Sequence, residues 1–156
     1  INLKLPGGQG FAPHQDAPAF NLFEQSAHLT VMLSLDGSNA QNGCLEVARL
    51  ERCKSLLPMN SDLTLKAEVA ESITWQTIET EPGDLVLFNS FLPHRSGMNQ
   101  SRFSRRALYA TYAKAAEGDF RAAYFGQKRT LFPPEAEREP GRQYDGGIFN
   151  IGNPIR

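Results

Sequence analysis

A His-Gln-Asp tripeptide lies close to the start of the sequence, at residues 14–16. Its histidine and aspartate have the types and spacing of two ligands of a metal site. In an extended strand alternate residues point to the same face, so His14 and Asp16 can address one point while Gln15 faces away. They would then supply an imidazole nitrogen and a carboxylate oxygen as adjacent ligands. A second imidazole would complete a facial triad, the ligand set that leaves positions open for substrates on non-haem iron(II).

His94 is the natural candidate for that second imidazole. It follows the apolar run 85–88, and closure of a β-barrel can bring such a strand beside one that is distant in sequence. A His-x-Asp tripeptide also occurs by chance on protein surfaces. The pair with a distal histidine therefore suggests a metal site but does not establish it.

The residue that strengthens the metal interpretation is Arg105, at the start of a β-rich segment. A guanidinium is a planar fork that can hold a carboxylate through two parallel hydrogen bonds. Ala107 shares its strand face and leaves room for a small diacid between Arg105 and a metal. Ser96 could donate a hydroxyl to the same carboxylate. The alternative is that Arg105 and Arg106 belong to a solvated basic patch, but the nearby metal motif favours the first interpretation.

Short strands separated by turns must position these side chains. Segments rich in β-forming residues recur along the chain, at residues 29–35, 44–48, 73–78, 85–88 and 105–113. One late segment, 117–130, has apolar residues at helical spacing and is followed by two prolines. No regular element is predicted for residues 51–70, and the tail is irregular. The pattern predicts an all-β sandwich or barrel with a C-terminal helix and an irregular tail.

The composition excludes several classes of function. The 156 residues are 40% hydrophobic and carry a net charge of -1, which suits one globular domain and lacks the basic excess of a nucleic-acid binder. No apolar run is long enough to span a membrane. Cys44 and Cys53 are too few for a disulfide scaffold and indicate reduced thiols in a cytoplasmic protein. We expect a small-molecule substrate; the sequence does not indicate the oligomeric state.

Four motifs in chain order resemble the phytanoyl-CoA dioxygenase family of 2-oxoglutarate oxygenases: HQDAP, NGCLEV, PGDLVLFNSFLPHRSGMNQS and RRALYATY. The resemblance runs from about residue 4 to residue 112 and implies a double-stranded β-helix, a jelly-roll barrel like that of the cupins. By resemblance, His14, Asp16 and His94 would bind iron(II). Arg105 and Ser96 would hold the distal carboxylate of 2-oxoglutarate, and Gln15 would be a further contact to this cosubstrate, although strand alternation turns it away.

The implied activity consumes O2 and 2-oxoglutarate and hydroxylates a C–H bond of a small metabolite. Asp16 favours hydroxylation, because relatives that halogenate have lost this carboxylate. Arg95 and Arg102, near His94, would suit an anionic substrate such as a phosphonate, a carboxylate or an acyl compound. The C-terminal segment is reminiscent of bacterial members, some of which act on organophosphonates.

The sequence departs from the family in two places. The usual continuation after NGCLEV is replaced at residues 48–52, in a loop expected to affect substrate choice. Family members also carry a further stretch before the His-x-Asp strand. We therefore expect residues 1–156 to form a single catalytic domain that lacks its N-terminal portion.

Other functions remain open on the sequence alone. A catalytically incomplete barrel could bind a ligand without turning it over. A cupin-like enzyme could use zinc or manganese without a cosubstrate, although it would have no need of Arg105. Nucleic-acid demethylation is disfavoured by the net charge and by the lack of a basic groove lined with aromatic residues.

Overall fold

Two antiparallel sheets organise the residues that the computed structural model describes, 1–23, 28–49 and 54–153. The strands are β1 (Asn2–Lys4), β2 (Phe11–His14), β3 (Leu29–Ser34), β4 (Leu45–Ala48), β5 (Trp75–Ile78), β6 (Leu85–Asn89), β7 (His94–Ser96) and β8 (Arg105–Tyr112). The helices are α1 (Ala67–Ser72) and α2 (Arg121–Leu131). Short 3-10 turns lie at Ala17–Phe23, Ala40–Asn42, Ala115–Glu117, Glu135–Glu137 and Gly147–Phe149.

The strand order shows a jelly roll. Within the described ranges, the first sheet has the order β1-β8-β3-β6 and the second the order β2-β7-β4-β5. Strands that are close in sequence therefore often lie in opposite sheets, and pairs such as β2 and β7 join distant parts of the chain. The predictions of an all-β fold and of a double-stranded β-helix are confirmed.

A small apolar core lies between the sheets. Met32, Leu45, Phe88 and Ala107 are its fully buried members. Along β3 the inward positions alternate with outward leucines and a valine, so both faces of this strand carry apolar side chains. Exposed leucines continue on the outer face of β6. This explains why the first sheet reads in the sequence as apolar runs rather than as strict alternation.

The helices agree in part with the prediction. The helix expected over 117–130 is α2, which begins later, at Arg121, because a separate 3-10 turn at Ala115–Glu117 precedes it. α1 begins in the region 51–70, for which no element was predicted, and continues to Ser72; it has no side-chain cap at its N-terminus. No helix in the described ranges has the length and apolar character needed to cross a membrane.

Candidate active site

His14, Asp16 and His94 come together at the contact between β2 and β7, where the two histidines are register partners. The Nε2 atom of His14 lies 3.7 Å from Asp16 Oδ1, and that of His94 lies 3.6 Å from the same oxygen. The potential ligand atoms of the three residues all lie within 4.8 Å of one another. We call these three residues the metal cluster.

Both imidazoles are held by backbone carbonyls. Ala12 O accepts a hydrogen bond of 2.7 Å from His14 Nδ1, and Leu92 O accepts one of 3.0 Å from His94 Nδ1. A carbonyl can only accept, so Nδ1 carries the proton on each ring and Nε2 presents its lone pair to the cluster. This second layer of hydrogen bonds is typical of histidines that bind metals. Two imidazole nitrogens and one carboxylate oxygen fit non-haem iron(II).

The electrostatics of His14 also suit a ligand. The side chain is buried, and burial, followed by the neighbouring His94, lowers the pKa of His14 to about 4 despite the opposing effect of Asp16. His14 is therefore neutral near pH 7, and a metal would not have to displace a proton from it.

The C-terminal tail packs against β2 and the His14 ring. Gly152 O accepts a hydrogen bond of 2.8 Å from Ala12 N, which fixes the tail against β2. Gly152 has a φ of +74°, and a Cβ atom there would lie 2.6 Å from His14 Nδ1. Only glycine fits between the tail backbone and the imidazole, so the tail helps to hold this ring in place.

The metal cluster opens into a cavity of about 400 Å³ that Arg105 and Ser96 also line. Arg105 is buried, and its Nη2 donates to Gly43 O at 3.1 Å. In the ranges that the structure describes, no carboxylate lies within ion-pair distance of this guanidinium. The cavity therefore contains a buried cation that has no acidic partner among the described residues.

Lys4 orders the region around Ser96. Its Nζ donates to Ser96 Oγ at 2.9 Å, to Gly97 O at 2.7 Å and to Gly43 O at 3.2 Å. Burial, followed by the nearby Arg105, lowers the pKa of Lys4 to about 8. Because Ser96 Oγ accepts from Lys4, the hydroxyl proton remains available for a ligand. Asn2, on the same strand, lines the cavity itself.

The structure does not bring Gln15 to this cavity. Its side chain is fully buried and donates to Ser55 O at 3.1 Å and to Phe91 O at 2.5 Å. Its Oε1 accepts from Leu57 N at 2.8 Å. The amide is thus used to anchor the segment near residue 55, as expected for a side chain that alternates away from His14 and Asp16.

The arginines expected to bind an anion are engaged elsewhere. Arg95 lines the cavity, but its Nε donates to Glu46 and its guanidinium lies 4.5 Å from the centre of the Trp75 ring. Arg102 does not line the cavity; it lies over Phe103 at 4.8 Å. The pairing of Arg95 with Glu46 and the position of Arg102 outside the cavity lining both disfavour an anion site at these two residues.

Sequence reasoning missed the contribution of α2. Tyr124 and Lys128 line the same cavity. Their four-residue spacing places them on one helix face, but no sequence feature indicates that this face covers the metal cluster. His28 is buried against Phe20, with ring centroids 4.2 Å apart, and does not join the cluster. The unusual loop at residues 48–52 lies largely outside the described residues, as does Cys53.

Known proteins share both the sequence and the fold. The family model for phytanoyl-CoA dioxygenase (PhyH) matches residues 1–107. A 2-aminoethylphosphonate dioxygenase from an uncultured bacterium (HF130_AEPn_1) is 49% identical over 158 residues, covering 100% of this chain and 60% of the relative. A methylphosphonate hydroxylase from Gimesia maris is 38% identical over 132 residues, covering 85% of this chain and 50% of the relative. The chain thus spans about half to three fifths of the length of these curated relatives.

Solved structures show the same fold at lower identity. EvdO2 from Micromonospora carbonacea var. aurantiaca, complexed with 2-oxoglutarate, has a TM-score of 0.58 and 24% identity, covering 72% of this chain and 51% of that one. The α-ketoglutarate-dependent carbocyclase SnoK from nogalamycin biosynthesis has a TM-score of 0.59 and 21% identity, covering 72% and 47%. The family model covers well over half of the sequence and includes the metal cluster and Arg105. The chain belongs to the phytanoyl-CoA dioxygenase family.

Proposed function

We propose that this protein is an iron(II)- and 2-oxoglutarate-dependent dioxygenase that hydroxylates a C–H bond of a small phosphonate. The observation that carries the proposal is the presence, in one cavity, of the metal cluster and of the buried, unpaired Arg105. The substrate class is supported by the two relatives described above, a 2-aminoethylphosphonate dioxygenase and a methylphosphonate hydroxylase.

The overall reaction balances without any further oxidant. One O2 and one 2-oxoglutarate give succinate and CO2, and the second oxygen atom enters the substrate as a hydroxyl group. Iron(II), when bound, supplies the redox chemistry that couples these two oxidations. The protein supplies the binding, the orientation and the exclusion of water.

Each residue of the site has a defined task in this proposal. His14, Asp16 and His94 would hold the iron(II) through two imidazole nitrogens and one carboxylate oxygen. The Arg105 fork binds the distal carboxylate of 2-oxoglutarate, with the Ser96 hydroxyl as a second donor. Apolar side chains that line the same cavity keep water from the reacting atoms; these are Phe20, Leu45, Phe88, Phe149 and Ile151.

Succinate release is the direct test. The protein would be incubated with iron(II), ascorbate, 2-oxoglutarate and O2, with and without 2-aminoethylphosphonate or methylphosphonate. We expect succinate and a hydroxylated phosphonate in equal amounts, and loss of both with Asp16→Ala. Absence of turnover, in protein that binds the phosphonate, would favour the catalytically incomplete binding module. Turnover of the phosphonate without 2-oxoglutarate would favour a cosubstrate-free metalloenzyme.

A further inference from the structure

The cavity that contains the metal cluster is also lined by a lysine, Lys128 on α2. Its side chain is half-buried, and burial holds its pKa below the ordinary value. No carboxylate in the described part of the chain lies within ion-pair distance of its Nζ. A partly desolvated ammonium without a counter-ion is costly unless an anion joins it.

Other cations of α2 have protein partners outside the cavity. Arg129 pairs with Glu137 at 3.3 Å, and the guanidinium of Arg121 lies 5.0 Å from the centre of the Phe125 ring. Neither arginine lines the cavity. Lys128 is therefore distinguished from both arginines because it lines the cavity, and from Arg129 also because it has no acidic partner in the described ranges.

Tyr124 lies beside Lys128 in the cavity. It lies one turn earlier on the same face, and Lys128 Nζ is 5.7 Å from its ring centroid. The ring packs edge-on against Phe149 at 5.3 Å and stacks on Phe20 at 5.7 Å. Tyr124 also lies close enough to Asp16 that this carboxylate, after burial, contributes to raising the pKa of its phenol. The helix face thus extends from the metal cluster to the ammonium group.

The charges that line the cavity leave one cation unassigned. Three side chains of the lining are cationic, Arg95, Arg105 and Lys128, and one is a carboxylate, Asp16. Arg95 is neutralised by Glu46. Arg105 is assigned to the cosubstrate, and Asp16 to the metal. A phosphonate carries at least one negative charge at neutral pH and would need a cationic partner inside apolar walls.

We propose that Lys128 binds the phosphonate group of the substrate and that α2 is the element that selects this anion. This inference rests on the proposed function and deepens it. It assigns to Lys128 the task that the sequence suggested for Arg95 and Arg102.

The test separates binding from turnover. Affinity for 2-aminoethylphosphonate is measured calorimetrically with iron(II) and 2-oxoglutarate present and O2 removed, for wild type, Lys128→Met, Lys128→Arg and the control Arg129→Met on the same helix. β-Alanine, taurine and propylamine replace the phosphonate by a carboxylate, a sulfonate or no acid. Succinate release in air gives kcat and KM for each variant.

We expect Lys128→Met to weaken 2-aminoethylphosphonate binding at least tenfold and to abolish the preference over propylamine. Lys128→Arg should restore most of the affinity, and Arg129→Met should leave it unchanged. The KM for 2-oxoglutarate should be the same in all four proteins. Binding within twofold of wild type in Lys128→Met, with iron and cosubstrate still bound, would overturn this inference alone. Failure of the wild type to bind iron(II) and 2-oxoglutarate would overturn the proposed function and this inference with it. If β-alanine or taurine binds more tightly than the phosphonate through Lys128, the assignment to phosphonate is wrong.

Discussion

Replacing Gly152 by alanine should weaken metal binding although the residue is not a ligand. The new Cβ would lie 2.6 Å from His14 Nδ1 and 2.9 Å from Cε1, well inside the roughly 3.5–4 Å of a normal carbon contact. The ring must move, and its 2.7 Å hydrogen bond to Ala12 O must lengthen or break. Loss of such an orienting bond typically costs 10–100-fold in metal affinity, or about 1.4–2.7 kcal/mol.

A matched control separates this clash from backbone strain. Gly141 also has a positive φ, of +80°, but a Cβ there meets nothing within 4 Å. Both alanine variants should pay about 1–2 kcal/mol for a left-handed conformation, which corresponds to a few degrees in melting temperature. Only Gly152→Ala should also lose metal affinity in calorimetric titration with iron(II) under nitrogen. Equal metal affinity in the two variants would refute the idea that the tail positions His14.

Further predictions concern the buried Gln15, the cosubstrate-binding Arg105 and the surface ion pair of Arg106 with Asp36. Gln15→Met should destabilise the protein by about 2–4 kcal/mol in urea unfolding, because it leaves buried backbone groups without partners. The folded variant should keep a KM for 2-oxoglutarate near that of wild type. Arg105→Lys should raise the KM for 2-oxoglutarate at least tenfold despite the retained charge, because an ammonium cannot form the bidentate contact; an unchanged KM would contradict the assignment. Hydrogen bonds from Arg106 lower the pKa of Asp36 from 3.8 to about 2. The ion pair therefore contributes its full stabilisation above pH 3.8, and this stabilisation is lost as the pH falls through about 2. Asp36→Asn should flatten that part of the acid unfolding curve, and the effect should be small because the pair is exposed.

Much of the metal cluster could be predicted from the sequence because local geometry determines it. Strand alternation predicts His14 and Asp16 on one face and Gln15 turned away. The structure has this arrangement, although β2 ends at His14 and the next two residues lie just past the strand. His94 could be proposed only by assuming barrel closure, which the pairing of β2 with β7 provides. The buried position of Arg105 follows from its inward place at the start of β8.

The remaining features depend on tertiary contacts that carry no local signal. Lys128 and Tyr124 could be assigned to one helix face, but not to a face that covers the cavity. The role of Gly152 arises from the approach of the tail to β2, which lies far away in sequence. Helix α1 is short and has no side-chain cap, so tertiary packing rather than propensity determines it. The single-domain organisation and the cytoplasmic location stay predictions.

The most direct test is a crystal structure of the protein grown without O2 in the presence of iron(II) and 2-oxoglutarate. We expect one metal ion bound to Nε2 of His14, Nε2 of His94 and a carboxylate oxygen of Asp16. The far carboxylate of 2-oxoglutarate should lie on the Arg105 fork. A metal bound elsewhere, or a cosubstrate that does not contact Arg105, would contradict the proposed site.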